Sequence, residues 1–170
     1  MLIKAFDFLK DEKYSHYMTK KNKSYFTLVE IMIVVAVIGL LAAIAVPSFM
    51  NARFKAQNKT FASQMRLAVG AFKQASLEND YPPDTTEGEI PSGMDEYLQN
   101  FPWQKETPIG GQWDWDYQVF GYKAGVSVYK PDVDAERMED IDAIFDDGSL
   151  DSGQFRSRTD GYIYIIEASE

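Results

Sequence analysis

The stretch "YFTLVEIMIVVAVIGLLAAIAVPSF", residues 25–49, decides how the rest of the chain is read. Over residues 26–50 the polar exceptions are Thr27, Glu30 and Ser48. About 20 apolar residues cross a bilayer core as a helix, so the run is a membrane span with one acid near its start. An ordinary signal peptide is one reading, since Ala43-Ile44-Ala45 has the small-residue pattern of a cleavage site. That cut leaves Pro47 two residues into the mature chain and gives Glu30 no role, and a plain single-pass anchor gives it none either. A charge deep in a membrane helix costs about 2.5–3.5 kcal/mol, less near the interface, and no Lys or Arg occupies the next turns. A third reading supplies the cation. Cutting before Phe26 creates an α-amino group one helical turn ahead of Glu30, and in a bundle of identical helices that ammonium can pair with Glu30 of a neighbour. The remaining alternative leaves Glu30 hydrated at the headgroup level, close to Lys23.

The surrounding composition narrows the function classes. The chain has 170 residues, no Cys and a single His, His16. That composition argues against a catalytic zinc site or a Ser-His-Asp triad, and a fold without disulfides depends on core packing. The net charge of -9 is uneven. Residues 1–25 carry six Lys against three acids, and residues 51–80 carry five basic and two acidic side chains. Residues 81–170 carry six basic and 20 acidic ones. Positive charge thus flanks the apolar run, and an acidic remainder argues against nucleic acid as a partner.

The segment "FTLVEIMIVVAVIGLLAAIAVP" resembles the N-terminus of type IV pilins and of type II secretion pseudopilins. Phe26, Thr27, Leu28, Glu30, Gly39 and Pro47 carry the likeness, behind the basic residues Lys20, Lys21 and Lys23, and it covers about 30 residues. The resemblance implies a prepilin peptidase that cuts before Phe26 and methylates the new amine, with Tyr25 and Phe26 as the cleavage and methylation positions. It implies that Phe26 and Glu30 act in assembly, and that an inner-membrane platform builds a homo-oligomeric filament from anchored subunits. It further implies a single pass through the inner membrane with the N-terminus cytoplasmic, then a periplasmic or cell-surface filament. One position departs: the family normally has Gly before the cut, where this chain has the bulky Tyr25. The leader, residues 1–25, is long. Met18 opens "MTKKNKSYF", which has the usual short basic shape, so either translation starts there or the leader is a long one.

Past the membrane the pattern stays helical. Phe54, Phe61, Met65, Ala68, Val69 and Phe72 recur at helical steps, with Lys55, Asn58, Lys59, Gln64, Arg66 and Lys73 opposite. Residues 51–80 therefore continue the helix with one apolar face. Pro82-Pro83 end it, and Gly39 and Pro47 are the positions expected to loosen or bend it. Some 50 residues at ~1.5 Å each make a rod of roughly 75–80 Å. The 90 remaining residues cannot bury that, so lipid or partners must cover its first half.

Residues 81–170 read as a globular α+β domain. "YPPDTTEGEIPSG" is a loop, and residues 94–100 can make a short helix. Trp113, Trp115 and Tyr117 alternate with Asp114 and Asp116, while Ala124, Val126 and Val128 alternate with Gly125, Ser127 and Tyr129. These are two strands joined by a turn near 118–121. Met138, Ile141, Ile144 and Phe145 have helical spacing before Gly148, and "GYIYIIE" closes as a third strand. The expected fold is α+β and pilin-like: a long N-terminal helix, its first half transmembrane, packed on a small antiparallel sheet of about three strands with a short inserted helix.

Chemistry in this domain is sparse, with no nucleophile–base constellation and no cofactor expected. Asp114 and Asp116 could flank an anion or a metal but read first as solvated strand acids, and "WDWDY" reads as a packed aromatic patch. Asp146, Asp147 and Asp151 around Gly148 form an acidic turn without the spacing or terminal Glu of an EF-hand loop. Some pseudopilins that resemble this chain bind calcium in a C-terminal loop, which makes those three acids the candidate metal ligands. Two function classes follow. One is a structural filament subunit; the other is a membrane-anchored protein that binds a ligand or carbohydrate through Trp113 and Trp115.

Overall fold

The structure, a computed structural model, describes residues 25–169; the leader up to residue 24 and the start at Met18 lie outside the described residues. The chain divides into two compact units, Met1–Val46 and Pro47–Glu170. Helix α1, Leu28–Glu78, contributes to both and is unbroken at Gly39 and at Pro47. Pro47 has no N–H to donate to the carbonyl four residues back, yet the chain is helical on both sides of it.

Every residue of α1 from Leu28 to Ala56 is exposed in the single chain, Val, Ile and Leu included. Within the second unit the helix changes character. Phe61, Met65, Ala68 and Phe72 are fully buried and Val69 nearly so, which is the apolar face expected from their spacing.

That face lies against a four-stranded antiparallel sheet of strands β1 (Gln112–Tyr117), β2 (Tyr122–Tyr129), β3 (Phe155–Arg158) and β4 (Gly161–Ala168), in the order β1-β2-β4-β3. Trp113 stacks on Phe61 with ring centres 5.4 Å apart, and Trp115 stacks on Phe72 at 4.0 Å. Burying rings of this size, stacked in offset or parallel pairs, adds about 0.5–1.5 kcal/mol per pair beyond the area buried. The register pairs Trp113 with Val128 and Trp115 with Val126, so these four apolar side chains line the inner face while Asp114 and Asp116 point to the outer one.

Helix α2 (Ala135–Phe145) is the inserted helix, N-capped by Asp134, whose side chain accepts from the Arg137 N–H at 2.9 Å. Met138 and Ile141 enter the core, and Arg137 ties α2 to α1 by donating from Nε to Asn58 Oδ1 at 2.8 Å.

Two details differ from the sequence expectation. The sheet has a fourth strand, β3, which is four residues long and lacks an alternating apolar pattern. Residues 95–100 form consecutive turns rather than a helix, with the Leu98 N–H donating to the Met94 carbonyl and the Phe101 N–H to the Leu98 carbonyl, both at 2.9 Å. The loop after Pro82-Pro83 is not slack. Trp115 Nε1 donates to the Pro82 carbonyl at 3.0 Å and Trp103 Nε1 to the Glu89 carbonyl at 2.7 Å.

The same loop runs along the free margin of β1, where the Gly88 N–H donates to the Trp113 carbonyl at 2.8 Å and the Tyr117 N–H to Asp84 Oδ1 at 2.9 Å. At the other margin the Ser157 N–H of β3 donates to the Leu150 carbonyl at 3.0 Å.

Candidate functional site

Glu30 sits in the first turn of α1, and its carboxylate folds back on the chain. It accepts the Thr27 N–H at 2.7 Å and the Thr27 hydroxyl at 3.0 Å, while the Glu30 N–H donates to Thr27 Oγ1 at 3.1 Å. This is a capping box: a Thr and a Glu three residues apart satisfy each other's exposed main-chain donors. The lone acid of the apolar run therefore has a job within one chain. Tyr25 and Phe26 precede the box and are about four-fifths exposed. The sequence reading named Thr27 without a capping role, although its spacing from Glu30 is the capping-box signature.

A second group of acids gathers where α2 ends. One carboxylate oxygen each from Asp142, Asp146 and Asp147 falls within 4.8 Å of the others. Asp146 and Asp147 are two of the three acids expected there; the third member is Asp142, and Asp151 is not in the group. Asp142 and Asp146 stand four apart at the helix end, which places them on one face. Asp142 is fully buried, and neither of its oxygens makes a well-formed hydrogen bond, although the Gly148 and Ser149 N–H groups lie near it. Burial, with the Asp146 carboxyl beside it, pushes its pKa up to about 6. Asp146 accepts the Asp147 N–H at 2.7 Å and the Gln154 N–H, and Asp147 accepts from the Ser149 N–H at 3.0 Å and the Ser152 hydroxyl at 2.7 Å. A buried carboxylate without a well-formed hydrogen bond is stabilised by a proton or by a cation. The oxygen-only donor set suits a hard cation such as calcium.

The outer face of the sheet corrects the reading of Asp114 and Asp116 as solvated. Both are buried, because Arg158 at the end of β3 reaches them, at 2.6 Å from Asp114 Oδ2 and 3.2 Å from Asp116 Oδ2. Ser127 donates its hydroxyl to Asp116. The guanidinium lies 4.7 Å from the centre of the Phe120 ring, a cation–π contact that removes it further from water. Trp113 and Trp115 have no exposed surface. They are core, as the packed-patch reading had it, and offer no ring face on which a sugar could stack.

A sheet with a buried aromatic floor, laid on the second half of a helix whose first half is apolar and exposed, defines a pilin-like subunit. The type II secretion system core protein G of Klebsiella pneumoniae is 30% identical to the chain over 128 residues, covering 68% of this chain and 90% of that protein. Its namesake from Aeromonas hydrophila is 34% identical over 71 residues, 42% of this chain and half of that protein. The type IV major pilin protein PilA of Myxococcus xanthus is 52% identical over 55 residues, 32% of this chain and 25% of that pilin. No family model matches the chain, and no solved structure does. The chain belongs to the pilin and pseudopilin family.

Proposed function

We propose that the chain is a structural subunit of a type IV pilus-like or type II secretion pseudopilus filament, processed before Phe26 by a prepilin peptidase. One observation carries the reading: 23 residues of α1, from Leu28 to Met50, stand exposed and apolar except for Glu30 and Ser48. Exposed apolar surface on that scale requires lipid or other copies of itself. In lipid, α1 anchors the subunit in the inner membrane with its N-terminus cytoplasmic. In the filament the same surface packs against neighbouring helices, with Glu30 facing the new α-amino group of Phe26 on an adjacent subunit. The capping box gives Glu30 a fixed direction before that pairing forms. The test is sheared-filament yield, or secretion output, for wild type and Glu30→Ala at matched membrane levels. Assembly should be lost in the Ala variant while the folded region persists, and unchanged assembly overturns the pairing.

A second reading concerns a ligand of the same subunit. Asp142, Asp146 and Asp147 would hold a calcium ion, and the buried Asp142 carboxylate, with no well-formed hydrogen bond, favours this. The ion would supply the positive charge that Asp142 lacks and fix the 146–154 loop against β3. Calcium bound to the native state raises its melting temperature; no shift at millimolar calcium in residues 53–170 would dismiss the site.

A further inference from the structure

We infer that the acidic cavity on the outer face of the sheet receives a basic side chain from α1 of a second copy of this chain. The inference rests on the filament reading above and names one of its contacts. The cavity encloses about 230 Å³, with Asp114 and Asp116 in its lining and Asp84, Glu87 and Asp160 exposed around it.

Its charges do not balance from within. Five carboxyls line it, Arg158 pairs with two of them, and the Lys130 ammonium sits over the Tyr129 ring, 4.8 Å from its centre, beside Asp160 and Glu87. Asp114 is 7% exposed; Arg158 engages its Oδ2, and its buried Oδ1 has no partner. The buried Thr85 hydroxyl, in the same lining, has none either. Burial first, and then the neighbouring Asp116 charge, pushes the Asp114 pKa up to about 6, which fits a site short of positive charge. The Arg158 guanidinium already lies between Asp114 and Asp116, so a bare metal ion there would meet a cation. An ammonium on a flexible stem can enter from the rim beside Asp84 and Glu87 instead.

The complement is on the same molecule but out of its own reach. Lys55, Lys59 and Lys73 are exposed on one flank of α1, and none has a carboxylate within ion-pair distance among the described residues. α1 covers the inner face of the sheet through Phe61 and Phe72, while the cavity opens on the outer face. A patch and its complement on different faces of one unit make a heterologous contact, which passes from copy to copy into a ring or an open filament rather than ending at a two-fold dimer.

The absence of cysteine makes the contact directly testable. The full chain carrying both Glu87→Cys and Lys59→Cys is treated in its native membrane with a short bismaleimide, alongside each single variant and the pairings with Lys55→Cys and Lys73→Cys. The expected result is a ladder beyond the dimer in a double variant and none beyond the dimer in the single ones. In parallel, Glu87→Lys and Lys59→Asp should each lower sheared-filament yield, and their combination in one chain should restore it. These positions are on the surface, where substitutions rarely cost folding stability. Filaments that form without a ladder from any pairing overturn this contact and leave the filament reading standing. A ladder without filaments keeps the contact and sinks the filament. Absence of both removes both, and adducts of the Glu87→Cys chain solely to a different protein assign the cavity to another partner and overturn the inference.

Discussion

The carboxylate of Glu30 accepts the main-chain N–H of Thr27 at 2.7 Å, so the acid in the apolar run caps its own helix. Its two roles, cap and charge, come apart in one substitution. Gln retains the capping geometry but has no charge to offer an ammonium. Glu30→Gln should therefore keep normal membrane levels and fail to assemble as fully as Glu30→Ala. If the Gln chain yields sheared filaments at the wild-type level, capping is the requirement and the ion pair is not.

Cleavage before Phe26 should be slowed by the ring of Tyr25. With the cognate peptidase, Tyr25→Gly is expected to be processed faster than wild type, read by N-terminal sequencing or gel shift over a time course. Equal rates would clear Tyr25 of any obstruction.

Arg158 is the sole cation within 4 Å of Asp114 and Asp116 among the described residues. Removing one partner of a buried ion pair strands the other charges, at about 3–5 kcal/mol. Arg158→Ala in residues 53–170 should lower the urea midpoint accordingly. Arg158→Lys, which cannot span both carboxylates at once, should fall between the two. A midpoint unchanged in the Ala variant would mean that the triad contributes no net stability.

The Asp114 carboxyl takes up its proton more readily folded than unfolded, because its folded pKa lies near 6. Between about pH 4 and pH 6 the native state holds more protons, so stability is greatest at the acid end and declines as pH rises through that window. Above about pH 6 this contribution is flat. Asp114→Asn should flatten the decline in melting temperature across pH 4–6, and an identical slope in both proteins would assign it to other groups.

How far the sequence foretold all this depends on the range of the interaction concerned. Phe61, Met65, Val69 and Phe72 could be read as a core face because helical periodicity is local, and Trp113 and Trp115 because alternation is. The short strand β3 escaped because "FRSR" has a single apolar residue and is held by pairing with β4. Asp114 and Asp116 looked solvated because the side chain that buries them, Arg158, is more than 40 residues away. Asp142 was overlooked although its spacing from Asp146 was visible; a carboxylate is expected on the wet side of a helix, and this one is fully buried. Pairing between distant residues is set by the sheet register, and no local pattern encodes it.

The loops laid along β1 and β3 bear on what happens when copies of this chain crowd together. An open strand edge is a template for another strand, and stacked strands grow into cross-β fibres that resist dissolution. Here the Trp113 carbonyl and the Tyr117 and Ser157 amides already have partners in Gly88, Asp84 and Leu150. Crowding therefore does not recruit the sheet into amyloid-like growth at those positions. Association through helix faces and charged side chains therefore does not compete with strand pairing at those positions.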